Sequence, residues 1–236
     1  MFLPRFIRKR LKQREMINFY KQFVTDGDLC FDIGANIGER TNCFLHLGAS
    51  VVAVEPQSSC MITLEQKFSL NNKVKIIHKA VGAAKGNADL FLCDETHECS
   101  TLSPDFISVF SKISGFNWNK KVKIEVTTLD DLCEAFGTPK FCKIDVEGFE
   151  SQVFLGLKKP IPYICFEFNQ PFLKDTIKSL QILSLIGPAK CNFIKYEHMN
   201  LVLRDWISTD EFINRFDQLI TDDILTGEII VDFSSI

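Results

Sequence analysis

From Asp28 the chain reads Asp-Leu-Cys-Phe-Asp-Ile-Gly-Ala-Asn-Ile-Gly-Glu-Arg-Thr, ending at Thr41. A short apolar run closes on Asp32, a loop follows with Gly34, Asn36 and Gly38 in alternate positions, and a helix begins. A second apolar run, Val51-Val52-Ala53-Val54, then ends in Glu55-Pro56. Strand, glycine loop, helix and strand in this order describe a βαβ unit of a parallel sheet. Gly34 and Gly38 carry no Cβ to obstruct a ligand, and Asn36 tolerates the left-handed backbone better than most residues. A loop of this kind, with an acid at the next strand end, is how α/β proteins hold a nucleoside.

Charge narrows the choice of nucleoside. A dinucleotide loop wants G-x-G-x-x-G, with a helix N-terminus facing the pyrophosphate. Here an acid opens the series Asp32-x-Gly34-x-Asn36-x-Gly38, and an acid beside that loop repels a pyrophosphate. It suits S-adenosyl-L-methionine, which carries an ammonium group, a sulfonium and a ribose with two hydroxyls. Asp32 is expected to face the cationic amino-acid portion, in part through water, and Glu55 to take the ribose hydroxyls. A nicotinamide dehydrogenase is disfavoured on the same ground.

The blocks Asp32-Ile33-Gly34-Ala35-Asn36-Ile37-Gly38, Val54-Glu55-Pro56 and Lys143-Ile144-Asp145-Val146-Glu147-Gly148-Phe149-Glu150 resemble the signature blocks of FkbM-type methyltransferases. Residues 128–132 and the strand end Phe166-Glu167 sit where that family places similar elements. The resemblance runs from about residue 27 to residue 169, and its most specific part is the lysine-to-glutamate block. It implies a Rossmann-like class I methyltransferase fold and S-adenosyl-L-methionine as donor. It also implies transfer to a hydroxyl oxygen of a sugar or secondary metabolite. Donor binding then falls to Asp32, Gly34, Asn36, Gly38, Thr41, Glu55 and Pro56.

The remaining pattern agrees with one α/β domain of 236 residues. A net charge of −3 does not attract nucleic acid as a whole. The nine cysteines lack C-x-x-C pairs. Cys30, Cys142 and Cys165 fall inside predicted strands as small apolar fillers, which suits reduced thiols in the cytoplasm. No run approaches the ~20 apolar residues of a membrane span, and no signal-peptide core opens the chain. Residues 1–24 are expected to form a basic helical extension, with residues 25–236 as the methyltransferase domain. Arg5, Arg8, Lys9, Arg10, Lys12 and Arg14 mix with Phe2, Leu3, Phe6, Ile7 and Leu11. Two readings stand for this segment. It is a docking helix leading through Met16, Phe19 and Phe23 into the fold, or it makes weak contact with an anionic membrane surface or a polyanionic substrate.

After a third strand, Val74 to Ile77, β-α alternation is interrupted. Ala88 to Cys93 reads as a short strand, and Val122-Lys123-Ile124-Glu125-Val126-Thr127 alternates as a half-exposed strand does. Residues 94–121 between them read as a long irregular insertion, either a lid or aromatics packed on the sheet. Thr128-x-x-Asp131 is a capping-box start for the next helix, so Asp130 and Asp131 have a structural explanation. Parallel strands resume at Phe141 and Tyr163, and a last strand covers Ile229 to Phe233. The sum is a doubly wound, mostly parallel sheet with an antiparallel C-terminal strand and an inserted hairpin or lid.

Asp32, Glu55, Asp145 and Glu167 all fall at predicted carboxyl strand ends, where open α/β sheets bind ligands. Asp145 is the candidate to meet the acceptor hydroxyl, with Glu147 and Glu167 sharing that task. Lys143 alternates onto the same face as Asp145 and is expected to pair with it. Asp145, Glu167 and Asn169 are either oxygen donors for a magnesium-like ion or a hydrogen-bonding set; no metal is assigned. The fourth strand end lacks the Asn/Asp-Pro-Pro-aromatic block of base methyltransferases. The expected function is therefore O-methyl transfer to a small-molecule or glycan hydroxyl, without a nucleic-acid partner. A module that binds the donor without turnover is the alternative.

Overall fold

The computed structural model describes residues 5–195, 198–221 and 224–234. The chain enters as α1 (Arg5–Tyr20) and continues through β1 (Leu29–Ile33), α2 (Glu39–His46), β2 (Ser50–Val54), α3 (Ser58–Phe68) and β3 (Val74–Ile77). An excursion follows, made of β4 (Ala80–Val81), β5 (Gly86–Leu92), α4 (Pro104–Ser114) and β6 (Lys120–Thr127). The main sheet resumes with α5 (Leu129–Phe136), β7 (Phe141–Ile144), α6 (Glu150–Leu155), β8 (Tyr163–Asn169) and α7 (Leu173–Ile186). It is completed by β9 (Lys190–Lys195), β10 (His198–Leu201), β11 (Ile207–Ser208), α8 (Thr209–Asn214), α9 (Phe216–Leu219) and β12 (Thr226–Asp232).

In space the strands run β10-β9-β12-β8-β7-β1-β2-β3, with β11 also on β9. From β3 to β8 the pairs are parallel. β12 slots antiparallel between β8 and β9. The winding therefore reverses between β1 and β7, which opens the crevice where ligands enter such sheets. This is the doubly wound sheet with an antiparallel last strand that the sequence predicts.

Central strands covered on both faces read as continuous apolar runs, because both sets of alternating side chains are buried. Phe31, Ile33, Cys142, Ile144 and Phe166 face the layer that includes Leu129, Val153 and Leu180. Cys30, Phe141, Cys165 and Ile230 face Met16, Phe19, Tyr20 and Phe44 on the other side. Tyr20 meets Phe44 edge-on at 4.9 Å and Phe141 at 5.5 Å. The second half of α1 is thus core, while Arg8, Arg10, Lys12 and Arg14 are exposed. Phe2 and Leu3 lie outside the described residues. Among the described residues no helix is long and apolar enough to cross a membrane.

The excursion builds its own three-stranded sheet, β4-β6-β5. Ile124 and Val126 are buried while Lys123 and Glu125 are exposed, as the alternation requires, but Val122 departs from it and is exposed. The structure corrects one expectation here, because residues 94–121 are not irregular. They hold a 3-10 turn, His97–Cys99, and α4, whose start is capped by the Ser103 hydroxyl accepting from Phe106 N–H, with Pro104 in the first turn. Phe106 stacks on Phe110 at 4.1 Å and meets Trp118 and Phe172 edge-on. The aromatics pack on one another, while residues 97–102 edge the crevice. The predicted capping box is present, with Thr128 and Asp131 exchanging hydrogen bonds at the start of α5.

Candidate active site

Asp32, Glu55, Asp145 and Glu167 line a single cavity of about 520 Å³ at the carboxyl edge of the sheet. Four elements deliver them: β1, the end of β2, the end of β7 and β8. The end of β3 contributes no acid; Lys79, Ala80 and Val81 form that wall.

The loop after β1 takes three left-handed positions, Gly34 (φ 77°), Asn36 (φ 49°) and Gly38 (φ 82°). Both glycines also answer to the protein's own packing. A Cβ on Gly34 would stand 1.8 Å from the Asp145 carbonyl oxygen, and one on Gly38 would meet Phe68 and Leu64. Gly34 still lines the cavity, whereas Gly38 lines an adjoining one beside Phe68. Asn36 does more than bend the chain. Its N–H donates to Glu55 Oε2 at 2.8 Å, and Gln57 N–H donates to Glu55 Oε1 at 2.8 Å. Burial pushes the Glu55 carboxyl up to about 7, against the pull of those two N–H groups. Pro56 lines the same wall.

Asp32 is fully enclosed and accepts the Thr41 hydroxyl at 2.5 Å. Burial raises its pKa, with the Thr41 bond and the charges of Arg40 and Lys143 opposing. Thr41 thus reaches Asp32 and is not among the residues lining the cavity.

The turn after β7 carries the second group. Glu147 adopts φ 54°, a left-handed position that non-glycine residues seldom take, and Gly148 follows at φ 79° with Phe106 against its Cα. The Thr101 hydroxyl donates to the Glu147 carbonyl at 2.7 Å and so ties the insertion to this turn. Glu150 closes it from below, accepting Val146 N–H at 3.1 Å. One carboxylate oxygen from each of Asp145, Glu147 and Glu167 lies within 4.8 Å of the others. Burial, together with the neighbouring carboxylates, holds Glu147 and Glu167 well above the ordinary carboxylate range. Three such oxygens could also face a hard cation. Asn169 lies beside them and donates its Nδ2–H to Glu167 Oε2 at 3.1 Å, in keeping with the hydrogen-bonding alternative for this set.

Behind the rim lies a line of charges that sequence reasoning found only in part. Lys143, wholly buried, stands 3.4 Å from Asp145 Oδ2, as predicted, and 3.4 Å from Glu228 Oε1. Arg40 Nη2 reaches the same Glu228 oxygen at 2.9 Å. Burial works against the Lys143 charge, yet Asp145 and Glu228 outweigh it and raise its pKa. Glu228 was missed because it stands just ahead of the apolar run Ile229-Ile230-Val231, as the last polar residue before an obvious strand. Arg40 lay in the opening motif, but nothing in that motif distinguished it from a solvated helix residue.

The family model described as "Methyltransferase FkbM domain" matches residues 32–195. A curated relative, the chloroplastic ribosomal RNA small subunit methyltransferase of Arabidopsis thaliana, is 32% identical over 82 residues. That match covers 32% of this chain and 24% of the relative, so the chain spans about a quarter of the relative's length. Among solved structures, a precorrin-6Y C5,15-methyltransferase of Geobacter metallireducens aligns with TM-score 0.47 and 10% identity, over 94% of this chain and 86% of that one. An rRNA methylase of Streptococcus thermophilus aligns with TM-score 0.44 and 10% identity, over 92% of each chain. These two likenesses concern the fold alone.

Proposed function

Because the chain belongs to the FkbM methyltransferase family and is an S-adenosyl-L-methionine-dependent methyltransferase, we propose that it methylates a hydroxyl oxygen of a sugar, glycan or secondary metabolite. The observation that carries this reading is the convergence of Asp145, Glu147 and Glu167 within 4.8 Å on the donor cavity.

The donor set suits the methyl donor. Glu55 spends one lone pair of each oxygen on backbone N–H groups and keeps the others for hydroxyl donors such as those of a ribose. Carboxylates on several walls favour a cation, and a cavity of about 520 Å³ is of the size that encloses a nucleoside-bearing ligand. When bound, S-adenosyl-L-methionine supplies an electrophilic methyl group on a sulfonium. Asp32, Gly34, Asn36, Glu55 and Pro56 hold it in this reading, with Thr41 fixing Asp32 and Gly38 fixing the loop.

The acids after β7 and on β8 handle the acceptor. An alcohol is a weak nucleophile, so a base that takes its proton as the new carbon–oxygen bond forms accelerates the step. Crowded carboxylates accept a proton readily, because uptake relieves their mutual repulsion. Asp145, oriented by Lys143, receives the hydroxyl; Glu147 and Glu167 share the released proton. The chain otherwise contributes by aligning the two reactants and excluding water.

Incubation with methyl-labelled donor and a panel of glycans, hydroxylated metabolites and RNA tests the reading. Label on a hydroxyl oxygen of a glycan or metabolite, lost in Asp145→Asn, is the expected result. Label on nitrogen or carbon refutes it, and donor binding without turnover on any arm favours a binding module. The RNA arm is included because the plant relative acts on ribosomal RNA, although the match spans only about a quarter of that protein.

A further inference from the structure

A line of charges lies behind the acids that face the cavity. Glu228 pairs in register with Glu167 across β12 and β8 and is 1% exposed. Its Oε2 accepts the Cys165 thiol at 3.0 Å, and its Oε1 faces Arg40 at 2.9 Å and Lys143 at 3.4 Å. Lys143 in turn lies 3.4 Å from Asp145. Signs alternate along the line, from Arg40 through Glu228 and Lys143 to Asp145. Such a set is weak grounds for stability, since well-packed apolar residues of the same volume do as well or better. Its geometry instead serves orientation.

We propose that Glu228 is a positioning residue for Asp145, acting through Lys143. Shared between two carboxylates, the ammonium fixes Asp145 without drawing it out of the cavity or cancelling its charge there. Remove the Glu228 charge, and Lys143 falls more fully to Asp145. The negative potential where a sulfonium would sit is then weakened. This inference rests on the reading of Asp145 as the carboxylate nearest the reacting centre.

The test needs no acceptor. Calorimetry compares the affinity of S-adenosyl-L-methionine, a cation at sulfur, with that of S-adenosylhomocysteine, a neutral thioether. Their ratio reads the charge that the protein presents at that point. In Glu228→Gln the preference for the cation is expected to fall about tenfold, as the loss of roughly one nearby charge predicts, while binding of the thioether holds. Glu228→Asp keeps the charge one methylene further back, so its ratio is expected between those of wild type and Glu228→Gln. It carries the test alone should Glu228→Gln not fold. A wild-type ratio in the Glu228 variants, or an equal loss of both ligands, overturns the proposal. Asp145→Asn separates the two levels. If it lowers the ratio while the Glu228 variants do not, the inference falls and the reading of Asp145 stands. If Asp145→Asn leaves the ratio unchanged, that reading falls and takes the inference with it.

Discussion

Glu55→Gln is expected to lose the most donor affinity for the smallest change in shape. The carboxylate is 6% exposed and accepts Asn36 N–H and Gln57 N–H, each at 2.8 Å. An amide at this position keeps the volume but turns one oxygen into a donor, which faces a backbone N–H or a bound hydroxyl with the wrong polarity. It also removes the negative charge that strengthens bonds from the sugar. A hydrogen bond to a charged group contributes about 1.5–3 kcal/mol. Weakening two of them costs about 2–4 kcal/mol, or roughly 30- to 1000-fold in Kd. Calorimetry with S-adenosylhomocysteine measures this without turnover. The pH dependence supplies a second check. Burial raises the carboxyl to about 7, and hydroxyl donors bind its ionised form. Affinity is therefore expected to rise between about pH 6 and about pH 8, with release of close to one proton, and to lose that slope in Glu55→Gln. A variant within about fourfold of wild type, less than one charged bond contributes, would refute the reasoning, as would an unchanged slope.

Gly34→Ala would set a Cβ 1.8 Å from the Asp145 carbonyl oxygen at φ 77°; a loss of about 3 kcal/mol or more is expected, and thermal melting at wild-type temperature would contradict it. Burial raises Glu150 to about 7, so the stability it adds is present below the ordinary carboxylate pKa and lost as pH rises through about 7. Glu150→Gln, whose amide oxygen can still accept Val146 N–H, should therefore gain up to about 3 kcal/mol over wild type near pH 8 in urea unfolding, and no gain would sink the idea. Burial alone would raise Glu228, but Lys143 and then Arg40 hold it at about 2; its contribution is present above the ordinary carboxylate pKa and lost as pH falls through about 2. Lys143→Met leaves Glu228 with Arg40 as its counter-ion and takes the ammonium from a partly exposed Asp145, so a loss at the low end of that for a broken buried pair, about 3 kcal/mol, is expected at neutral pH. A neutral or stabilising result in the same unfolding assay would show that these carboxylates need no ammonium beside them.

The sheet and the rim of acids were legible because both follow from short-range patterns. Apolar runs ending in Asp32, Glu55, Asp145 and Glu167 mark strands and their carboxyl ends, and an open α/β sheet brings such ends together. The capping box at Thr128 was equally plain, being a contact three residues long. What stayed hidden depends on contacts far apart in sequence. Nothing near Gly34 says that its missing Cβ makes room for the carbonyl of Asp145, more than a hundred positions away. Arg40 and Glu228 are 188 positions apart, and only the antiparallel placement of β12 joins them. α4 escaped for another reason: its aromatics were read as a loop's contacts, although Ser103-Pro104 is a sound helix start.

β12 follows β8 and β9 in the chain, yet it takes its seat inside the sheet, between them. Until residues 226–232 leave the ribosome, the nascent polypeptide keeps two raw margins that nothing stitches together, and the lysine at the heart of the pocket has one counter-ion fewer. A copy stalled short of that point exposes two strand margins, and unpaired margins recruit other chains. The seam that closes the sheet also seats the Glu228 carboxylate between Arg40 and Lys143.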